Sequence, residues 1–259
     1  NMPRTQIRNG KPVLTYACKT LLIVPMLAEK GRYEGFAGTP RPHLRNPLVE
    51  LPCAVDTLLE VDAVIVTHTH PDHWDEAAQA LIGKHLPVFV QNEQDAAALR
   101  QQGFEQVQVL GQHTAFAGID IEKTGGQHGS DDAYANPSIA QFLGDACGLV
   151  FSHPSEKTLY LAGDTIWVDA VEHTLKTRRP EVVIVNAGFA QIDGYGAIIM
   201  GKEDFPRLHR LVPEATLIAS HMEALNHCLL SRAELREYVT QQGIAEHVWI
   251  PADGEARTL

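Results

Sequence analysis

The 259-residue sequence predicts an α/β (α+β) fold, a four-layer αβ/βα sandwich with two central mixed sheets. Three observations carry that expectation. Apolar, β-branched runs alternate with helix-patterned stretches along the chain. Each half opens on strands and continues in βα units. The side chains suited to binding metal fall on loops, as expected if they converge at one edge of the sandwich. No tandem repeat, low-complexity segment or clear linker breaks the pattern, so residues 1–259 are expected to form one domain.

Taken in order, residues 5–24 read as two strands, 13–17 and 20–24, around a turn at Cys18-Lys19, with Pro25-Met26 closing the second. Residues 29–53 are rich in Gly, Pro and Arg but carry interspersed apolar and aromatic side chains, which suggests a long ordered loop. Its Arg32, Tyr33 and Phe36 are candidates to cover a site, to make an oligomer contact or to lie on a solvated surface. Residues 61–66 read as a buried strand and 74–81 as a helix, with Asp75 and Glu76 in the first turn, where the helix dipole favours negative charge. A strand at 87–91 precedes a helix at 93–102, with Asn92 as its cap and Asp95 completing a capping box. Residues 106–110 and 119–124 alternate as half-buried strands. Residues 130–146 read as a polar loop, and 147–152 with 157–162 as a strand pair. Then follow a helix at 166–176, a buried strand at 181–185, a loop at 194–200 that could line a pocket, a helix at 202–211, a strand at 215–219 and an amphipathic helix at 230–241, after which Val248-Trp249-Ile250 leads into residues 251–255.

Between strand 61–66 and helix 74–81 stands Thr67-His68-Thr69-His70-Pro71-Asp72-His73-Trp74, three imidazoles and a carboxylate within six residues. In extended chain, His68 and His70 point to the same side and can share one ion. Asp72 and His73 follow a proline that can turn them toward a second. Neutral imidazole suits zinc, iron, copper or nickel, and the carboxylate balances charge. Thirteen histidines make some clustering expected by chance, but four ligand-type residues in this order at a strand end are much harder to obtain that way. Farther on, His128 sits on Gly125-Gly126-Gln127-His128-Gly129, where glycine lets the backbone approach an ion closely, whereas His113 lacks such a setting and is expected to face solvent. Asp164 follows a strand within Gly163-Asp164-Thr165, a pattern that on its own equally suits a turn or a helix cap. Asn186 could bond the substrate, the metal loop or simply a turn, and Asp253 and Glu255 could approach from the C-terminal end.

The first motif, followed in order by 125–129, Leu159-Tyr160-Leu161-Ala162-Gly163-Asp164-Thr165 and Ala219-Ser220-His221-Met222-Glu223, resembles the signature of the metallo-β-lactamase superfamily over nearly the whole chain. The resemblance is nearest to the branch of ascorbate-6-phosphate lactonases and N-acylphosphatidylethanolamine phospholipases. It implies the metallo-β-lactamase fold and two divalent ions, zinc first, with manganese or iron as alternatives. His68, His70 and His128 would hold one ion and Asp72, His73 and His221 the other, with Asp164 bridging and His227 the rival of His221. The implied chemistry is hydrolysis of a small ester, lactone or phosphodiester by a metal-bound hydroxide. Asp72 would orient the nucleophile or take a proton, and His221 or His227 would serve the leaving group. One departure stands out: relatives carry aspartate immediately before the proline that closes the second strand, where this chain has Val24, which puts metal occupancy or rate in question unless another acid takes over.

Composition narrows the alternatives. A net charge of −11 argues against a general nucleic-acid binder, including a nuclease of the same superfamily, although bound cations would still admit an anionic small-molecule substrate. No apolar run approaches a membrane span, and residues 1–4 lack a signal peptide's apolar segment. Cys18, Cys53, Cys147 and Cys228 are scattered, as free thiols of a cytoplasmic protein would be. A redox enzyme using iron on the same scaffold, and a binding protein that keeps the fold but little chemistry, remain the competing readings.

Overall fold

The structure, a computed structural model, describes residues 3–6, 12–24, 26–69 and 74–259. Its strands are β1 (Pro3–Gln6), β2 (Pro12–Tyr16), β3 (Lys19–Ile23), β4 (Ala63–Val66), β5 (Pro87–Val90), β6 (Gln106–Val109), β7 (Thr114–Phe116), β8 (Ile119–Thr124), β9 (Gly148–Ser152), β10 (Leu159–Leu161), β11 (Val182–Asn186), β12 (Gln191–Ile192), β13 (Gly196–Ala197), β14 (Thr216–Ser220), β15 (Val248–Trp249) and β16 (Ala256–Thr258). Its helices are α1 (Val55–Leu59), α2 (Glu76–Leu81), α3 (Glu93–Gln101), α4 (Asp131–Ala135), α5 (Pro137–Leu143), α6 (Asp169–Arg178), α7 (Asp204–Leu211) and α8 (Arg232–Gln241).

Alternation along single strands builds the layers. In β4, Ala63 and Ile65 point into one core while Val64 and Val66 point into another, so all four are buried. In β11, Val182 and Ile184 share the first of these cores, and Val183 and Val185 face away from it. The shared core lies between two sheets, ordered β16-β1-β2-β3-β4-β5-β6 and β15-β14-β11-β10-β9-β8-β7. The outer face of the first sheet packs on Leu58, Ala78, Ala96 and Leu99 from α1, α2 and α3. That of the second packs on Val171, Phe205, Leu208 and Leu235 from α6, α7 and α8. The result is the anticipated four-layer αβ/βα sandwich, the metallo-β-lactamase fold. Both sheets are mixed: β3 to β6 pair in parallel and β1 to β3 antiparallel, while β10, β11, β14 and β15 pair in parallel and β7 to β10 antiparallel.

Several local features differ from the sequence reading. The β2–β3 turn is Ala17-Cys18, both in the left-handed region at φ 48° and 65°, one residue earlier than expected. Asp75 lies outside α2 as its cap, accepting from the Ala78 amide, so only Glu76 occupies the first turn. Asn92 caps α3 through the Asp95 amide, but Asp95 turns away to accept from Gln91 Nε2 and Thr69 Oγ1 and completes no capping box. The segment 130–146 contains α4 and α5, whose caps Ser130 and Asn136 and whose first-turn Pro137 are conventional start signals in a stretch too polar to suggest them. Residues 29–53 form an ordered loop without a helix, bridged between Tyr33 and Asn46.

Candidate metal centre

The site lies where strand ends of both sheets meet. His68 follows β4; His128, Asp164 and His221 follow β8, β10 and β14; Asn186 ends β11. His68 Nε2 and His128 Nε2 stand 3.3 and 3.4 Å from Asp164 Oδ2, and His221 Nε2 stands 3.6 Å from Oδ1. All four side chains are buried. Among the described residues, His68, His128 and Asp164 present ligand atoms within 4.8 Å of one another. His70, Asp72 and His73, the rest of the expected ligand set, lie outside the described residues.

Each part of this cluster is held by a named neighbour. His128 Nδ1 is 2.8 Å from the Ile198 carbonyl oxygen. A carbonyl only accepts, so Nδ1 carries the proton, and Nε2 is the nitrogen turned toward Asp164. Tyr134 of α4 accepts from the His128 amide and donates to the Gly144 carbonyl. Thr165 Oγ1 accepts from the Gln127 amide, tying the His128 loop to the Asp164 loop. Gly125 abuts Ala170 of α6 and Gly126 abuts Thr165, so their missing side chains admit these close neighbours. Asn186 Nδ2 donates to Asp164 Oδ1 at 2.7 Å, which fixes the carboxylate while Oδ2 faces two imidazoles. A Cβ on Gly188 would fall 2.1 Å from the His221 carbonyl oxygen, so only glycine permits this close approach. His221 itself is left-handed at φ 60°, as is Glu223, a strained backbone of the kind that accompanies functional loops.

The competitors separate by position. His113 is exposed and pairs with Asp120, as expected. His227 is buried, with its ring edge-on to Phe36 at 5.0 Å, so Phe36 does cover a site-loop histidine. Asp253 and Glu255 do not approach the cluster: Asp253 accepts from Arg232 at 2.8 Å and Glu255 from Trp249 Nε1 at 3.0 Å. At the Val24 position, a buried side chain and left-handed backbone at φ 46° accompany a hydrogen bond donated by the Val24 amide to the Ile65 carbonyl. Acids stand on either flank of the metal motif instead. Asp95, whose carboxyl burial pushes up, meets Thr69, and Asp75 accepts from the Leu27 and Ala28 amides.

The pattern missed most completely was Asn226. Its side chain accepts from the Phe36 amide and Asn46 Nδ2 and donates to Thr39 Oγ1 and the Pro40 carbonyl, while its own amide donates to Asn46 Oδ1. It binds the 29–53 loop to the loop carrying His221 and His227. Nothing in local sequence marks a fully buried asparagine as such a hub.

A hydrogen-bonded imidazole with its other nitrogen turned inward, beside a buried carboxylate and further imidazoles, fits a divalent transition metal. Fold and donor set together define a metal-dependent hydrolase of metallo-β-lactamase type. The family model described as the beta-lactamase superfamily domain matches residues 37–222. The UPF0173 protein YddR of Bacillus subtilis is 49% identical over 98% of this chain and 99% of its own. A UPF0173 metal-dependent hydrolase of Koribacter versatilis is 26% identical over 50% of this chain and 55% of its own. Among solved structures, an isothiocyanate hydrolase from Delia radicum gut bacteria is 55% identical, with TM-score 0.97 over 99% of each chain. A possible metal-dependent hydrolase of Veillonella parvula is 46% identical, with TM-score 0.98 over 99% of each. The chain belongs to the beta-lactamase superfamily and, within it, to the UPF0173 family. Among the described residues, no helix is long and apolar enough to cross a membrane.

Proposed function

We propose that this chain, acting as one domain over residues 1–259, hydrolyses small electrophilic molecules, isothiocyanates first among them. The observation that carries the reading is the buried convergence of His68, His128 and Asp164, with His221 on the other carboxylate oxygen. The substrate class is supported by the 55% identity to an isothiocyanate hydrolase across the full chain. It is supported too by the aromatic pair of Phe36, which packs on His227, and exposed Phe142, whose rings meet at 6.1 Å, since a neutral apolar tail suits such a surface better than a phosphodiester.

His68, His70 and His128 would hold one divalent ion and Asp72, His73 and His221 the second, with Asp164 shared. Zinc leads manganese and iron on donor type, and the ions would supply Lewis acidity and a more acidic water. The protein's own part is orientation and proton handling. Asn186 holds the Asp164 carboxylate, and the Ile198 carbonyl fixes the His128 tautomer. Phe36, pinned by Asn226, shields His227 from water. Asp72 takes a proton from the attacking water, and His227 delivers one to the leaving atom. For an isothiocyanate the water oxygen bonds to the central carbon, the carbon–nitrogen bond breaks, and both water protons end on nitrogen, giving an amine and carbonyl sulfide.

Esters, lactones and phosphodiesters, the substrates of the lactonase and phospholipase branch, form the competing set. Turnover of benzyl isothiocyanate, a p-nitrophenyl ester, a γ-lactone and bis-p-nitrophenyl phosphate by zinc-loaded protein tests the choice. The reading expects the isothiocyanate to lead by kcat/KM, and a leading phosphodiester would overturn it. The free thiols support a reducing, cytoplasmic setting, and exposed Phe189 and Leu229 support a contact between copies of the chain.

A further inference from the structure

We infer that Cys228 is the positioning residue for His221, holding its Nδ1 so that Nε2 faces the metal centre; this rests on the reading of His221 as a ligand. Cys228 Sγ lies 3.5 Å from His221 Nδ1, and across the ring Nε2 lies 3.6 Å from Asp164 Oδ1. Both residues are buried. The arrangement repeats that of His128, where the Ile198 carbonyl takes the outer nitrogen and Nε2 turns to Asp164. With a metal on Nε2, Nδ1 would carry the proton and the thiol sulfur would accept it.

The sulfur is itself fixed in space. The Cys228 carbonyl accepts from Arg41 Nη2 at 2.9 Å, its amide donates to the Leu225 carbonyl, and its backbone bridges Ala190. Gly188 closes the other side, where a Cβ would stand 3.2 Å from Sγ. The left-handed backbone of His221 is therefore paired with a cysteine held by two other segments, at Arg41 and at 188–190. Because sulfur is a weaker acceptor than a carbonyl oxygen, His221 is the more loosely held of the two imidazoles.

The test is a zinc titration of the full chain against a chromophoric chelator, with melting temperature recorded for each variant. Cys228→Val, which fills the space without a hydrogen-bonding atom, is expected to weaken the second zinc equivalent roughly 10–100-fold, the range typical of lost ligand-orienting partners. Cys228→Ser is expected to keep it near the wild-type value, and both variants are expected to keep the first equivalent. A second equivalent unchanged in Cys228→Val, or weakened as much in Cys228→Ser, overturns the inference. His221→Ala is the control for the underlying reading: if it binds both equivalents like wild type, His221 is no ligand and this inference falls with it. If His221→Ala loses the second equivalent while Cys228→Val does not, Cys228 alone has been misassigned.

Discussion

The two sheets supply the candidate site in opposite ways. The first contributes one loop, after β4, that carries His68 and, in sequence, His70, Asp72 and His73. The second contributes single residues from separate strand ends, His128, Asp164 and His221, with Asn186 on the strand between the last two. A contiguous motif needs only its flanks secured, which Thr69 with Asp95 and the Asp75 cap provide. Dispersed residues depend on bonds between loops: Gln127 to Thr165, Asn186 to Asp164, Phe36 to Asn226. Losses on the second-sheet side should therefore spread farther from the substituted residue.

Asp164, reached from both sides, should give the largest effect. Asp164→Ala is expected to lose bound zinc, measured by elemental analysis, and to bring turnover to background. Asn226→Ala comes next. It strands four hydrogen-bond partners, two buried and two partly buried, so at about 1 kcal/mol for each buried one and less for the others urea unfolding should show a loss of about 2–3 kcal/mol, with zinc binding impaired as well. On the first-sheet side, Asp75→Ala removes a helix cap and two further amide acceptors, and about 2–3 kcal/mol should be missing in the same assay. Equal loss of zinc affinity in this variant and in Asn226→Ala would erase the proposed difference between the two sides. Asn186→Ala should weaken zinc by roughly 10–100-fold with little change in stability, because it removes one bond to Asp164. His113→Ala marks the floor. An exposed imidazole paired with Asp120 contributes within about 0.5 kcal/mol, and zinc binding should be unchanged.

The same contrast explains what the sequence made legible. Residues 63–66 declare a buried strand because both faces are covered, and the histidines crowd together just beyond it. His128, Asp164 and His221 became candidates through the order of short motifs, since none is locally unusual. Helices α4 and α5 hid in polar sequence because they rest on few apolar contacts, chiefly Ala133 and Leu143, and draw their starts from the Ser130 and Asn136 caps. Strands β1 and β16 pair residues from opposite ends of the chain, a long-range match that local periodicity does not carry. Asn226, Cys228 and the Ile198 carbonyl act only through tertiary contacts, so they emerge from coordinates alone. Asp95 shows the reverse hazard: a good local pattern for a capping box was overridden by a partner on the metal loop.

Anomalous diffraction at the zinc edge from zinc-loaded crystals tests the central claim most directly. The account predicts a peak about 2.0–2.2 Å from His68 Nε2, His128 Nε2 and an Asp164 oxygen, with a second beside His221. Density that places zinc elsewhere, or leaves the space between His68, His128 and Asp164 without a metal peak, would contradict it.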